Sequence, residues 1–125
     1  MEVRNLTRET SLGDRIRHAT SLWQNVRGLM LTPPLGEGEG LIIDMGGETR
    51  LGIWMPLMRY ALDVVYADER FTVTGLARDI PPMGLNPRTW RVYYPQKPAR
   101  YAVEVPVGTI ERTGIELGDT LVFED

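Results

Sequence analysis

Glycine and proline punctuate this chain so often that long helices have little room: thirteen glycines and nine prolines are spread over 125 residues, and each breaks or bends a helix. The segments between them favour short strands. Val3 with Leu6, and Asp14 to Thr20, read as two strands near the start. Gly40-Leu-Ile-Ile-Asp44 reads as another, with Gly46-Gly47 as a turn and Leu51 to Met55 extended again. Leu62 to Ala67 and Phe71 to Leu76 are β-rich runs joined by Asp68-Glu69-Arg70, a connection of hairpin length. Asp79 to Arg88 holds Pro81-Pro82 and Asn86-Pro87, so it reads as an irregular loop. Trp90 to Tyr94, Arg100 to Val105 and Thr120 to Phe123 complete the set of strands.

Two short segments depart from this pattern. Leu22, Trp23, Val26, Leu29 and Met30 recur at three-to-four spacing behind Thr20 or Ser21 as a cap, which predicts a short helix. Val107 to Arg112 predicts one or two further turns, with Gly114 placed to end them. The expected fold is mainly β: a single compact barrel or sandwich of about eight to ten short strands with one or two short helices.

Charge and residue usage remove several function classes from consideration. The net charge is −3, and the basic residues are scattered rather than gathered on one segment. A nucleic-acid partner is therefore not expected, since such binding rests on phosphate neutralisation. The chain has no cysteine, which leaves no disulfide framework, thiolate nucleophile or thiolate metal site. The first residues alternate in charge and have no apolar core of signal-peptide length, and no stretch approaches a membrane span. A cytoplasmic protein without a membrane partner is the expectation.

Four segments, taken in order, resemble the DUF192 family of uncharacterised proteins. They are Arg27-Gly28-Leu29-Met30 followed by Leu35 and Gly40-Leu-Ile-Ile43; Trp54-Met55 followed by Leu62-Asp63-Val64-Val65-Tyr66; Tyr101-Ala-Val-Glu104-Val leading to Gly108; and Gly114-Ile115-Glu-Leu-Gly118-Asp119. They span residues 27 to 119. The resemblance implies a compact β fold and carries no established activity with it. One segment departs from the bacterial pattern, which has Lys-Asn-Thr after Trp-Met and a proline before Leu-Asp. Here Pro56-Leu57-Met58 and Ala61 stand in those places, and the apolar Met55 to Tyr60 segment looks more like the archaeal branch.

Catalytic motifs are sparse. His18 is the single histidine, so a site needing two imidazoles cannot be assembled within one chain. The two serines, Ser11 and Ser21, lie in no nucleophile elbow. The glutamates of Gly36-Glu-Gly-Glu-Gly40 would repel a phosphate, and no cofactor is expected. Methionines such as Met55 and Met58 are expected to fill core gaps rather than bind copper.

Three carboxylates need a reason for their positions. Asp63 interrupts an apolar run, Asp44 ends Leu41-Ile42-Ile43, and Glu104 alternates with Val103 and Val105. If Asp63 converged with Glu104 or Asp44, an acid–base pair would result. The structural alternative has Asp63 accepting hydrogen bonds from a loop, or pairing with Arg27 or Arg59. Aromatic residues suggest a binding surface: Trp54 and Trp90, with Tyr93, Tyr94, Tyr101 and nearby arginines. The favoured expectation is a non-catalytic module for a small ligand or a protein partner, with Arg27, Trp54, Asp63, Trp90 and Glu104 as candidate binding residues. The alternative is an enzyme using Asp63 with Glu104 or Asp44.

Overall fold

Successive side chains of a strand point to opposite sides, so each strand of this chain has two faces to bury or expose. A computed structural model describes residues 1–19, 35–49, 61–81 and 94–125. Eight strands occur among them: β1 (Glu2–Asn5), β2 (Thr10–Gly13), β3 (Arg15–Ala19), β4 (Glu39–Thr49), β5 (Leu62–Ala67), β6 (Val73–Ile80), β7 (Ala99–Pro106) and β8 (Leu121–Glu124). One short helix, α1 (Thr109–Thr113), precedes β8. The expected helix after Thr20, the extended run from Leu51 and most of the Trp90 strand lie outside the described residues.

The strands form two sheets, ordered β2-β1-β8 and β3-β4-β7-β5-β6. In the larger sheet β3 runs parallel to β4, and the other three pairings are antiparallel. The smaller sheet touches both outer strands of the larger one. The Ile16 N–H donates to the Met1 carbonyl at 2.9 Å, and an isolated bridge joins Thr72 to Thr120. These are local contacts, and no continuous ladder closes the described strands into a barrel. The mainly β expectation is met.

β5 is buried at all six positions, because both faces of the larger sheet are covered. One face carries Ile42, Val65, Val103 and Val105 and packs against Val3, Leu12 and Leu121 of the smaller sheet, with Ile110 and Ile115 from around α1. The other carries Leu41, Ile43, Leu62, Val64, Tyr66 and Ala102, with Leu35 and Met45 against it. Burying such side chains contributes about 1.5–3 kcal/mol each relative to exposure, so the two layers dominate the stability of the fold. β7 is the middle strand of the five, and its stretch Ala102–Val105 is buried.

Local chemistry sets the elements in detail. Gly46-Gly47, expected as a turn, instead lies inside β4. Gly46 adopts φ +82°, and the β4–β7 register shifts between Asp44 and Thr49, so the glycines bend an extended strand rather than reverse it. The expected hairpin forms between β5 and β6. Its turn is held by Asp68, whose Oδ1 accepts from the N–H groups of Arg70 and Thr72 at 2.9 and 3.0 Å.

That turn forces Phe71 to φ +63°, a left-handed conformation costing a bulky residue about 1–2 kcal/mol. The ring compensates by packing. It stacks on Tyr101 with centroids 5.3 Å apart and meets Phe123 edge-on at 5.0 Å. Phe71→Ala keeps the strain and loses the ring contacts, whereas Phe71→Gly relieves the strain. Urea titrations should therefore show Ala destabilising by about 2–3 kcal/mol and Gly by about 1 kcal/mol less. The opposite ranking would mean the backbone at Phe71 is unstrained.

Candidate functional site

Period-two alternation along β7 turns Glu104 away from Val103 and Val105, as its sequence position predicts. The surprise is what it turns toward. In register, Glu104 lies between Leu41 of β4 and Val64 of β5, on the sheet face built from Leu41, Ile43, Leu62, Val64 and Tyr66. Gly40 permits the close approach of β4, since a Cβ there would come within 2.6 Å of the Glu104 carbonyl oxygen. Glu104 has no solvent exposure, and neither carboxyl oxygen has a hydrogen-bond partner among the described residues. Burial alone pushes its pKa up to about 8. At neutral pH the group keeps its proton, because an isolated carboxylate in so apolar a layer would cost several kcal/mol.

Asp63 sits on the opposite face. Its register partner is Val105, whose side chain belongs to the other layer. One carboxyl oxygen accepts from the N–H of Asp79 at 2.8 Å, and the other accepts from Gly108 and Ile110 at 3.1 and 2.9 Å. Gly108 is the N-cap of α1 and has no capping side chain of its own. Asp63 thus supplies, from a distant strand, the acceptor that the first helical N–H groups need. Hydrogen bonding to a loop was one of the structural roles expected for it.

Asp44 is committed elsewhere. The Arg100 guanidinium contacts it in a two-point pair at 2.9 and 3.1 Å, and the Gly46 N–H donates to it at 2.9 Å. Arg100, joined by that backbone N–H, holds the Asp44 carboxyl below the usual carboxylate range despite partial burial. Arg100 also lies 5.3 Å from the centroid of the Tyr101 ring. Asp44 pairs in register with Tyr101, three residues along β7 from Glu104, which is about 10 Å of strand.

The acid–base pairing considered from sequence is therefore not assembled. Asp63 and Glu104 face opposite layers, and Asp44 is engaged by Arg100. Of the candidate binding residues, the structure describes Asp63 and Glu104 but does not bring them together; Arg27, Trp54 and Trp90 lie outside the described residues. Among the described residues no three His, Asp or Glu side chains gather as a metal-binding group.

Asp119, from the fourth family-like segment, was not singled out as a site residue but organises a second polar cluster. Its Oδ2 accepts from Asn5 Nδ2 at 2.9 Å, Arg8 Nε at 2.7 Å and the Glu116 N–H at 3.0 Å. Burial raises the Asp119 pKa, but these donors outweigh it and leave the carboxyl below its ordinary range. The cluster ties the turn after β1 to the turn before β8, a structural task. Its only sequence signal was a Gly-Asp pair before a terminal strand.

These features define a small mainly β domain built around a protonated, buried glutamate and a helix capped from a neighbouring strand. The DUF192 family model, described as an uncharacterized ACR, matches residues 4–123; the chain belongs to this family. It is 35% identical over 112 residues to a UPF0127 protein of Thermococcus sibiricus, covering 88% of this chain and 66% of that longer protein, just under two thirds. It is 33% identical over 119 residues to a UPF0127 protein of Pyrococcus furiosus, covering 94% and 93% of the two chains. Both relatives are archaeal, in agreement with the apolar Met55–Tyr60 segment. Two crystal structures share the fold at a TM-score of 0.79. One is a Novosphingobium aromaticivorans protein of unknown function, at 21% identity with 98% of this chain and 82% of that one covered. The other is a Sinorhizobium meliloti protein provisionally described as a transcription regulator, at 20% identity with 97% and 89% covered. No described helix is long and apolar enough to cross a membrane.

Proposed function

We propose that the protein is a non-catalytic binding module for a small ligand, with Glu104 as the polar contact at the ligand's site. The observation that carries this reading is the carboxyl itself. It is fully buried at the centre of the larger sheet, with both oxygens unpaired among the described residues. Buried polar groups are nearly always hydrogen-bonded, and one left unmet calls for an explanation beyond folding. A leucine of similar bulk would serve the packing better, so the carboxyl works against stability here, as binding groups often do. A catalytic role finds less support, because neither Asp63 nor Asp44 is placed to act as its partner.

The test separates stability from binding. Glu104→Leu should raise the unfolding free energy at neutral pH by about 1–3 kcal/mol. It should also abolish any small-molecule mass that the wild-type chain retains in native mass spectrometry. A clear loss of stability in the Leu variant would make Glu104 a structural residue and sink the reading.

A further inference from the structure

A second place in the fold holds charges that the protein leaves unmet, and Glu104 takes no part in it. Two glycines bring its walls together. Gly13 ends β2 and Gly38 precedes β4, and a Cβ on Gly13 would lie 2.7 Å from the Gly38 carbonyl oxygen. Gly38 takes φ +81°, and its carbonyl accepts from the Arg15 N–H at 2.8 Å. α1 also packs near β2, where Ile110 and Leu12 share one apolar layer. These elements line a cleft of about 510 Å³, within the usual size of small-molecule sites.

Five charged side chains line it: Glu2, Asp14, Arg15, Glu37 and Arg112. Three of them are engaged. Ser11 Oγ donates to Glu2 Oε2 at 2.9 Å. Arg15 donates through Nη2 to the Glu37 carbonyl at 2.7 Å, and its Nε lies 3.9 Å from Asp14 Oδ1. Glu39, the register partner of Arg15, accepts from the Gly36 N–H at 2.9 Å and does not line the cleft. The Arg112 guanidinium and the Glu37 carboxylate remain, each without a side-chain partner among the described residues. They have opposite sign, come from different elements and border the same space, yet they do not pair.

A lone anion would answer Arg112 but sit among three carboxylates, and a lone cation would leave Arg112 unanswered. A molecule with a carboxylate at one end and an ammonium at the other satisfies both. The planar guanidinium grips a carboxylate through two parallel N–H···O bonds. The ammonium has three donors, for Glu37 and for Ser11 Oγ, whose own proton goes to Glu2 and whose lone pairs stay available. We propose that this cleft binds a zwitterion of amino-acid or dipeptide size, held between Arg112 and Glu37.

The test uses three probes with one body and different charges: glycylglycine, N-acetylglycylglycine and glycylglycinamide. Binding to the full chain is followed by ligand-observed NMR at neutral pH and millimolar probe. Glycylglycine should bind best, with each blocked form about fivefold weaker, as for exposed ion pairs. Arg112→Gln should bind glycylglycine and its amide alike, because the free carboxylate no longer finds a partner. Glu37→Gln should bind glycylglycine and its N-acetyl form alike. Both side chains are exposed, so both variants should fold, which circular dichroism checks. No glycylglycine binding, a blocked form bound as tightly by the wild type, or an unchanged order in either variant would each overturn the assignment. None of these results bears on Glu104→Leu, so this cleft and the Glu104 reading stand or fall separately.

Discussion

Raising the pH from about 5 to about 8 should lower the unfolding free energy by roughly 4 kcal/mol through Glu104 alone, at about 1.4 kcal/mol per unit. The folded chain holds this proton up to about pH 8, whereas the unfolded chain releases it near 4.5. Between those values the folded state binds more protons. The contribution is therefore complete at low pH and is lost as the pH climbs through the folded pKa. Asp44 and Asp119 act with the opposite sign. Their folded pKa values are depressed below 3.8, so their stabilisation is present above that value and disappears in stronger acid. Together these groups should place the stability optimum on the acid side of neutrality, near pH 4 to 5 by this reasoning. Urea denaturation across the range, on the wild type and Glu104→Gln, measures the effect directly. The Gln variant should lose most of the decline between pH 5 and 8. A wild-type profile that is flat there would mean the carboxyl ionises freely in the folded chain.

The second large effect lies at Asp63. Its two oxygens accept three backbone N–H groups, from Asp79, Gly108 and Ile110. Asp63→Asn replaces one oxygen with an NH2 that faces donors, leaving at least one buried N–H unmet. Hydrogen bonds to a charged acceptor contribute about 1.5–3 kcal/mol each, and an orphaned donor costs about 1–3 kcal/mol. The net loss should be about 3 kcal/mol, lowering the Tm by roughly 10 °C. The damage should be local at first, with amide exchange rising in Gly108 and α1 before the rest of the larger sheet. An unchanged Tm in Asp63→Asn would contradict the capping role and return Asp63 to the list of ligand contacts.

Much of the larger sheet was legible because its strands carry their own signal. Leu62 to Ala67 and Ala99 to Pro106 each carry two valines and a tyrosine, and Asp68 marks the turn between β5 and β6 through its side chain. β2 was missed because Thr10-Ser-Leu-Gly13 offers a single apolar residue, Leu12, too little for a period. The path of β4 through Gly46-Gly47 was misread for a different reason. Glycine permits both reversal and a bend, and tertiary pairing with β7 chose the bend.

The site was legible in direction but not in depth. Alternation correctly turned Glu104 away from its valine neighbours, yet no local pattern says whether the far side of a strand is covered. That depends on what packs over the sheet from elsewhere in the chain, and it separates a solvated carboxylate from a protonated core acid. The same period-two geometry ruled out the Asp63–Glu104 pair once the register was known, since Asp63 opposes Val105 and Val64 opposes Glu104. The start of α1 was equally opaque. Gly108 is a poor cap by itself, and the acceptor that replaces it lies 45 residues earlier.

The pairing of β1 with β8, Glu2 opposite Glu124, also sets the order in which the molecule can assemble. The β5–β6 hairpin closes a short loop, so its ends meet early and often. The β1–β8 ladder must gather residues from opposite ends of the chain, and that search costs entropy before any contact rewards it. Completion of the smaller sheet by β8 therefore belongs to the late, slow stage of folding, in the millisecond-to-second range typical of non-local β structures. Until it is complete, Val3 and Leu121 are not in place over the larger sheet, and one flank of the nascent protein stays open to water.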